Sequence, residues 1–137
     1  PISQETIQTI REHPRVVHID WTDHVEHHLA LADVFVHPSH EEGFSNVLLE
    51  AAAMQVPIIC SNCIGNASFI KQQKTGLVFP VGEVTVLKEA MEFAYVKRDT
   101  LASYTDALFE EVQEKYDRKV MRKLQVAAYR QLLKNQD

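Results

Sequence analysis

Glu41-Glu42-Gly43-Phe44-Ser45-Asn46-Val47-Leu48-Leu49-Glu50-Ala51-Ala52-Ala53-Met54 places one carboxylate, Glu50, inside a run that is otherwise apolar from Val47 to Met54. The run reads as a helix from Asn46 to Met54, and short apolar segments bracket it. Val34-Phe35-Val36-His37, closed by Pro38, reads as a strand before it, and Ile58-Ile59-Cys60, after Val56-Pro57, as a strand behind it. A helix between two such strands is the β-α-β unit of a parallel sheet buried on both faces.

Working outward from this unit, the same alternation continues. Ser3 can cap a first helix that carries Ile7 and Ile10 and ends at His13-Pro14, because the residue before proline avoids the helical region. Val16-Val17-His18-Ile19 reads as a strand, followed by a loop at Asp20-Trp21-Thr22-Asp23 and a short helix through Val25, Leu29 and Ala32. Downstream come a turn at Gly65, a short helix near Ser68 to Gln72, a turn at Lys74-Thr75-Gly76 and a strand at Leu77-Val78-Phe79. Val84, Leu87, Met91 and Ala94 fall at helical spacing, as do Leu101, Tyr104, Leu108 and Val112 after a Thr100 cap, and Asp117 can cap a last helix to about Lys134. The expected fold is α/β, a Rossmann-like parallel sheet with helices on both faces and further helices at the C-terminus. No repeat, low-complexity tract or Gly/Ser linker divides residues 1–137, so one domain is expected. Its opening on a helix suggests a fragment that lacks the first strand or two of such a domain.

Composition sets the limits of function. The chain has 137 residues, 45% of them hydrophobic, and a formal charge of −5 that is unevenly spread. Residues 1–97 carry six basic and twelve acidic side chains, a poor nucleic-acid surface. Residues 98–137 carry eight and seven, and there Lys115, Arg118, Lys119, Arg122, Lys123, Arg130 and Lys134 meet only Asp117. This predicts a local basic helix, a solvated face first and a peripheral membrane contact second. No apolar stretch approaches a membrane span, and no signal-peptide order opens the chain, so a cytoplasmic setting is expected. Cys60 and Cys63 form a Cys-Ser-Asn-Cys spacing without a second pair, and Cys60 ends an apolar run where a small hydrophobe suffices. His24 and His28 stand at a metal-chelating i, i+4 spacing, but no Cys or zincin glutamate accompanies them, so no metal is expected.

In open parallel sheets, ligands bind beyond the carboxyl ends of the strands, where helix N-termini present N–H groups and partial positive charge. The loop Pro38 to Ser45 is due there. Backbone N–H groups of Phe44 to Val47 suit a phosphate, and Gly43 permits close approach. Glu42 in the loop and Glu50 one and a half turns into the helix can reach one pocket, since helical side chains lean toward the N-terminus. A carboxylate accepting two hydrogen bonds suits a vicinal diol such as that of a ribose. Burial of the Glu50 charge would cost several kcal/mol without a partner, which the ligand would supply. The plainer alternative leaves Glu42 on the helix dipole and Glu50 on a cation or water.

The run Pro38-Ser39-His40-Glu41-Glu42-Gly43-Phe44 through Glu50-Ala51 resembles the signature of family 4 retaining glycosyltransferases, with its two glutamates around seven intervening residues. Val17-His18-Ile19-Asp20-Trp21-Thr22, Ala32-Asp33-Val34-Phe35-Val36, Pro57-Ile58-Ile59-Cys60-Ser61-Asn62 and Lys74-Thr75-Gly76-Leu77-Val78 resemble its flanks, in order, over about residues 3 to 95. The resemblance implies the C-terminal, nucleotide-sugar-binding half of a two-domain GT-B enzyme. It implies that Glu42 binds donor-sugar hydroxyls and is the catalytic-site carboxylate, and that Glu50 binds the ribose. Backbone at Gly43, Phe44, Ser45, Asn46 and Val47 would meet sugar and diphosphate, with Trp21 and Thr22 near the nucleobase. It further implies no cofactor and no metal, helix dipole and basic side chains replacing a divalent ion. The implied partners are a nucleotide-diphosphate sugar and an N-terminal acceptor domain, with polysaccharide or lipid-linked acceptors, and the half alone is expected to be inactive. Three positions depart from the pattern: Asp20 for a glycine, Ile64 for a small or polar residue, and Ser68 for a glutamate. The alternative class is a non-catalytic Rossmann-like module that binds a nucleotide or a protein. A dehydrogenase-type domain is disfavoured, because no Gly-x-Gly-x-x-Gly follows any strand.

Overall fold

The computed structural model describes residues 2–134. The chain order is α1 (Gln4–Glu12), α2 (Val25–Leu29), β1 (Phe35–His37), α3 (Asn46–Ala53), β2 (Ile58–Ser61), α4 (Ile64–Phe69), β3 (Leu77–Phe79), α5 (Val84–Val96), α6 (Arg98–Tyr116) and α7 (Arg118–Lys134). The three strands form one parallel sheet in the order β1-β2-β3. Phe35 pairs with Ile58 and His37 with Cys60, while Ile59 pairs with Leu77 and Ser61 with Phe79. The carboxyl ends of all three strands therefore share one rim.

Strand alternation divides the core into two layers. Ile58 and Cys60 pack with Leu29, Leu48, Ala51, Ala52, Phe69, Leu108 and Val112 on the face covered by α2, α3, α4 and the later turns of α6. Ile59, Leu77 and Phe79 pack with Ala94 and Leu101 on the face covered by α5 and the start of α6. Helix α6 thus crosses from one face to the other, and β2, buried at all four residues, is the centre of the sheet.

Three local expectations are corrected. Val16-Val17-His18-Ile19 is not a strand: Val17 is 86% exposed, and no described strand lies beside it to complete a ladder. Residues Ile64 to Phe69 form α4 directly, so Gly65 sits in the first turn of a helix rather than in a turn before one. Two of the three expected caps form: Ser3 accepts from Thr6 N at 3.1 Å, and Asp117 Oδ1 accepts from Lys119 N at 2.8 Å. Thr100 is not a cap, because α6 begins two residues earlier, at Arg98, and places Thr100 inside its first turn.

Candidate functional site

The site grows from the end of β1. His37 closes the strand, Pro38 breaks it, and the chain runs through Glu42 and Gly43 to Ser45, which precedes α3. Three contacts hold this loop on the rim. Gly65 N donates to the Glu42 carbonyl at 3.0 Å. Ser61 Oγ, at the end of β2, donates to the Ser39 carbonyl, and buried Asn66 Nδ2 donates to Ser61 Oγ at 3.3 Å. The Phe44 ring packs against Phe69 and Tyr116, with centroids 5.9 and 5.7 Å away. Anchoring the ring there leaves the Phe44 backbone on the rim.

Glu42 is held by its neighbours. Its Oε1 accepts from Ser39 Oγ at 3.0 Å and lies 3.2 Å from His37 Nε2. Ser45 Oγ lies 3.3 Å from the same His37 nitrogen. Ser45, 6% exposed, therefore does not cap α3 through its side chain, and the first N–H groups of α3 face the rim without a side-chain oxygen. Gly43 is open: a Cβ built there meets nothing within 4 Å. Asn46 is exposed and Val47 half-buried at the same helix start.

Glu50 corrects the expectation of a buried charge. It is exposed, because Leu48, Ala51 and Ala52 turn the core face of α3 inward and leave residue 50 on the outer side. It makes no ion pair among the described residues, and it lines a hollow of about 270 Å³ with Val25, Glu26 and Leu29 of α2 and Ala53 and Met54. Glu42 does not line that hollow. Trp21, 76% exposed, and Thr22, whose Oγ1 accepts from His24 N at 3.0 Å, precede α2, and neither lines that hollow. A larger hollow of about 480 Å³ between Val34, Val36, Ala94 and Leu101 contains neither glutamate and has a mainly apolar lining.

The departures from the family pattern have local explanations. Ser68 Oγ donates to the Gly65 carbonyl at 2.8 Å and so stays on its own helix. Ile64 is 88% exposed, and Asp20 lies 3.6 Å from His18. Burial pushes the Cys60 thiol up to about 12, so it stays protonated as a small core hydrophobe. At the start of α2 the side-chain N and O atoms of His24, Glu26 and His27 gather within 4.8 Å, an exposed set in which only His24 and Glu26 are hydrogen-bonded, in place of the His24–His28 pair suggested by spacing. His37 and Ser39 had escaped notice in the sequence. Their position one and three residues past Val36 was the signal.

Residues 2–96 match the family described as "Glycosyl transferases group 1". The chain belongs to the glycosyl transferases group 1 family. The putative teichuronic acid biosynthesis glycosyltransferase TuaC of Bacillus subtilis (strain 168) is 33% identical over 93 residues, which cover 68% of this chain and 24% of that protein. Sucrose-phosphate synthase from Thermosynechococcus elongatus superposes with a TM-score of 0.86 at 25% identity, covering 96% of this chain and 33% of that one. Anabaena Alr3699/HepE, solved in complex with UDP-glucose, superposes at 0.78 with 18% identity, covering 89% and 36%. The chain spans less than a third of the length of the curated relatives it matches. The Rossmann-like parallel sheet of a group 1 glycosyl transferase, as in GT-B enzymes, is thus the fold, as the alternation of strands and helices indicates.

Proposed function

We propose that this chain is the donor-binding half of a retaining glycosyltransferase, which moves a hexosyl group from a nucleotide-diphosphate sugar to a polysaccharide or lipid-linked acceptor. The carrying observation is Glu42, its carboxylate held by Ser39 and His37 beside the uncapped N-terminus of α3 on the carboxyl-end rim of the sheet. The helix start suits the diphosphate and Glu42 the sugar hydroxyls, while Glu50, exposed beside α2, takes the ribose. Trp21 and Thr22 lie toward the base. Charge building on the departing diphosphate is met in part by the helix dipole, without a divalent ion.

The acceptor is held by a second half, so this chain binds donor but does not turn over alone. Relatives with names such as teichuronic acid biosynthesis glycosyltransferase, and a neighbour of the same fold with UDP-glucose bound, support the reading. No helix of the described residues is long and apolar enough to cross a membrane. The basic α7 supports peripheral contact with the cytoplasmic face of a membrane, where lipid-linked acceptors would reside.

Calorimetric titration of UDP, UDP-glucose, GDP and GDP-mannose into the chain tests this. One pair binds, the sugar-bearing member more tightly, and Glu50→Ala loses most of the nucleotide affinity. Silence with all four would favour a protein-interaction module and end the proposal.

A further inference from the structure

We infer that His37 is a positioning residue, which with Ser39 clamps one oxygen of the Glu42 carboxylate so that the other oxygen, and the Ser45 hydroxyl, are turned to the ligand. The inference rests on the donor-binding reading above and deepens it.

Both donors converge on the same atom. Ser39 Oγ donates to Glu42 Oε1 at 3.0 Å and His37 Nε2 lies 3.2 Å from that oxygen. A carboxylate only accepts, so Nε2 must carry a proton, in the neutral ring as in the charged one. The imidazole is placed by the sheet itself: His37 ends β1, paired with Cys60, its ring lies parallel to Phe35 at 5.9 Å, and its side chain is 19% exposed. The rigid strand therefore fixes the loop carboxylate.

The same proton settles Ser45. A protonated Nε2 has no lone pair, so the Ser45 hydroxyl, 3.3 Å away, can share that proton as acceptor but cannot donate to the ring. It does not cap α3 either. Its own O–H is left for a ligand oxygen. Glu42 Oε2 as acceptor and Ser45 O–H as donor, side by side at a helix start, form a pair suited to a hydroxyl-bearing group joined to a phosphate. A hexosyl diphosphate has that chemistry.

Two measurements on the same chain keep the clamp separate from the donor reading. The first needs no ligand: the long-range proton–nitrogen spectrum of the histidine rings. His37 should show the Nε2–H form, and Glu42→Gln should mix its tautomers, because an amide can either accept or donate. A His37 ring protonated on Nδ1 alone overturns the clamp whatever the chain binds. The second is the ratio of UDP-glucose to UDP affinity. His37→Leu should lower that ratio about tenfold, as expected for loss of one charge-assisted hydrogen bond, with UDP affinity within about twofold. His37→Gln, whose amide nitrogen reaches as Nε2 does, should restore most of it, and Ser39→Ala should lower it without touching the strand. An unchanged ratio in both His37→Leu and Ser39→Ala overturns the inference. A wild-type chain that shows the Nε2–H form yet binds neither ligand keeps the clamp and overturns the assignment of the free oxygen to a sugar.

Discussion

Gly65 N donates to the Glu42 carbonyl at 3.0 Å, and a Cβ on residue 65 would stand 2.5 Å from that same oxygen and 2.6 Å from the Gly43 carbonyl. The start of α4 and the loop that carries the catalytic-site candidate are therefore in backbone contact, which only glycine allows. Gly65→Ala must push the loop off the rim. The expected cost is about 1–3 kcal/mol of stability, as for other overpacked sites, together with at least a tenfold loss of donor affinity. Thermal unfolding and calorimetry would show both, and a fully binding variant would mean the loop position is irrelevant to the ligand.

Gly43, one residue along, gives the opposite expectation. Nothing lies within 4 Å of a Cβ there and no positive φ is required, so Gly43→Ala should change stability by less than about 0.5 kcal/mol. If ligand approaches this backbone closely, affinity falls by about tenfold all the same. Unchanged melting with unchanged binding would remove Gly43 from the site.

Helix α3 ends in a Schellman motif built without glycine. Val56 N donates to the Ala51 carbonyl at 2.9 Å and Gln55 N to that of Ala52 at 3.1 Å, with Gln55 at φ 55°. The left-handed conformation strains a side chain more than the flexibility of glycine costs the unfolded chain. Gln55→Gly should therefore stabilise by about 0.5–1 kcal/mol, measured by urea unfolding, whereas Gln55→Val should destabilise.

Lys115 and Lys71 both reach Glu111, at 2.6 and 2.8 Å; the first pair lies within α6 and the second ties the segment after α4 to it. Their hydrogen bonds, that of Lys115 foremost, hold the Glu111 carboxyl below the usual carboxylate range. A depressed folded pKa adds stability that is fully present above the unfolded value of about 4.3 and is lost as pH falls through the folded value. Glu111→Gln should thus be less stable than the parent at neutral pH, with the difference shrinking through the acid range. A constant difference down to full protonation would refute the linkage.

Helix α7 carries Arg118, Lys119, Arg122, Lys123, Arg130 and Lys134 and no acidic residue, with Met121, Leu124, Tyr129, Leu132 and Leu133 exposed. Each basic residue near an anionic surface contributes about 1 kcal/mol, so phosphatidylglycerol vesicles should retain the chain at low salt and phosphatidylcholine vesicles should not. Reversing Arg118, Lys119, Arg122 and Lys123 to glutamate should abolish sedimentation with the vesicles. Indifference to that reversal would assign the apolar side of α7 to protein contact instead.

The parallel sheet, all three of its strands and six of the seven helices among the described residues were legible as local patterns, because apolar period and proline breaks act within a few residues of each other. The failures were non-local. Val16 to Ile19 has the composition of a strand, but a ladder needs a neighbour, and composition carries no record of one. Glu50 looked buried because its flanks are oily, whereas helical rotation alone turns it outward.

What the sequence by itself determined is the layering: which runs become strands, which faces bury, and that the Glu42 loop lies beyond a strand end. Only the tertiary structure decided that His37 and Ser39 converge on Glu42 while Ser45 meets the same His37 nitrogen, that Phe44 is spent on an aromatic anchor, and that Gly65 fixes the loop from another element. Side-chain direction and contact between elements depend on how the sheet and helices pack, and that geometry exists only once the chain is folded.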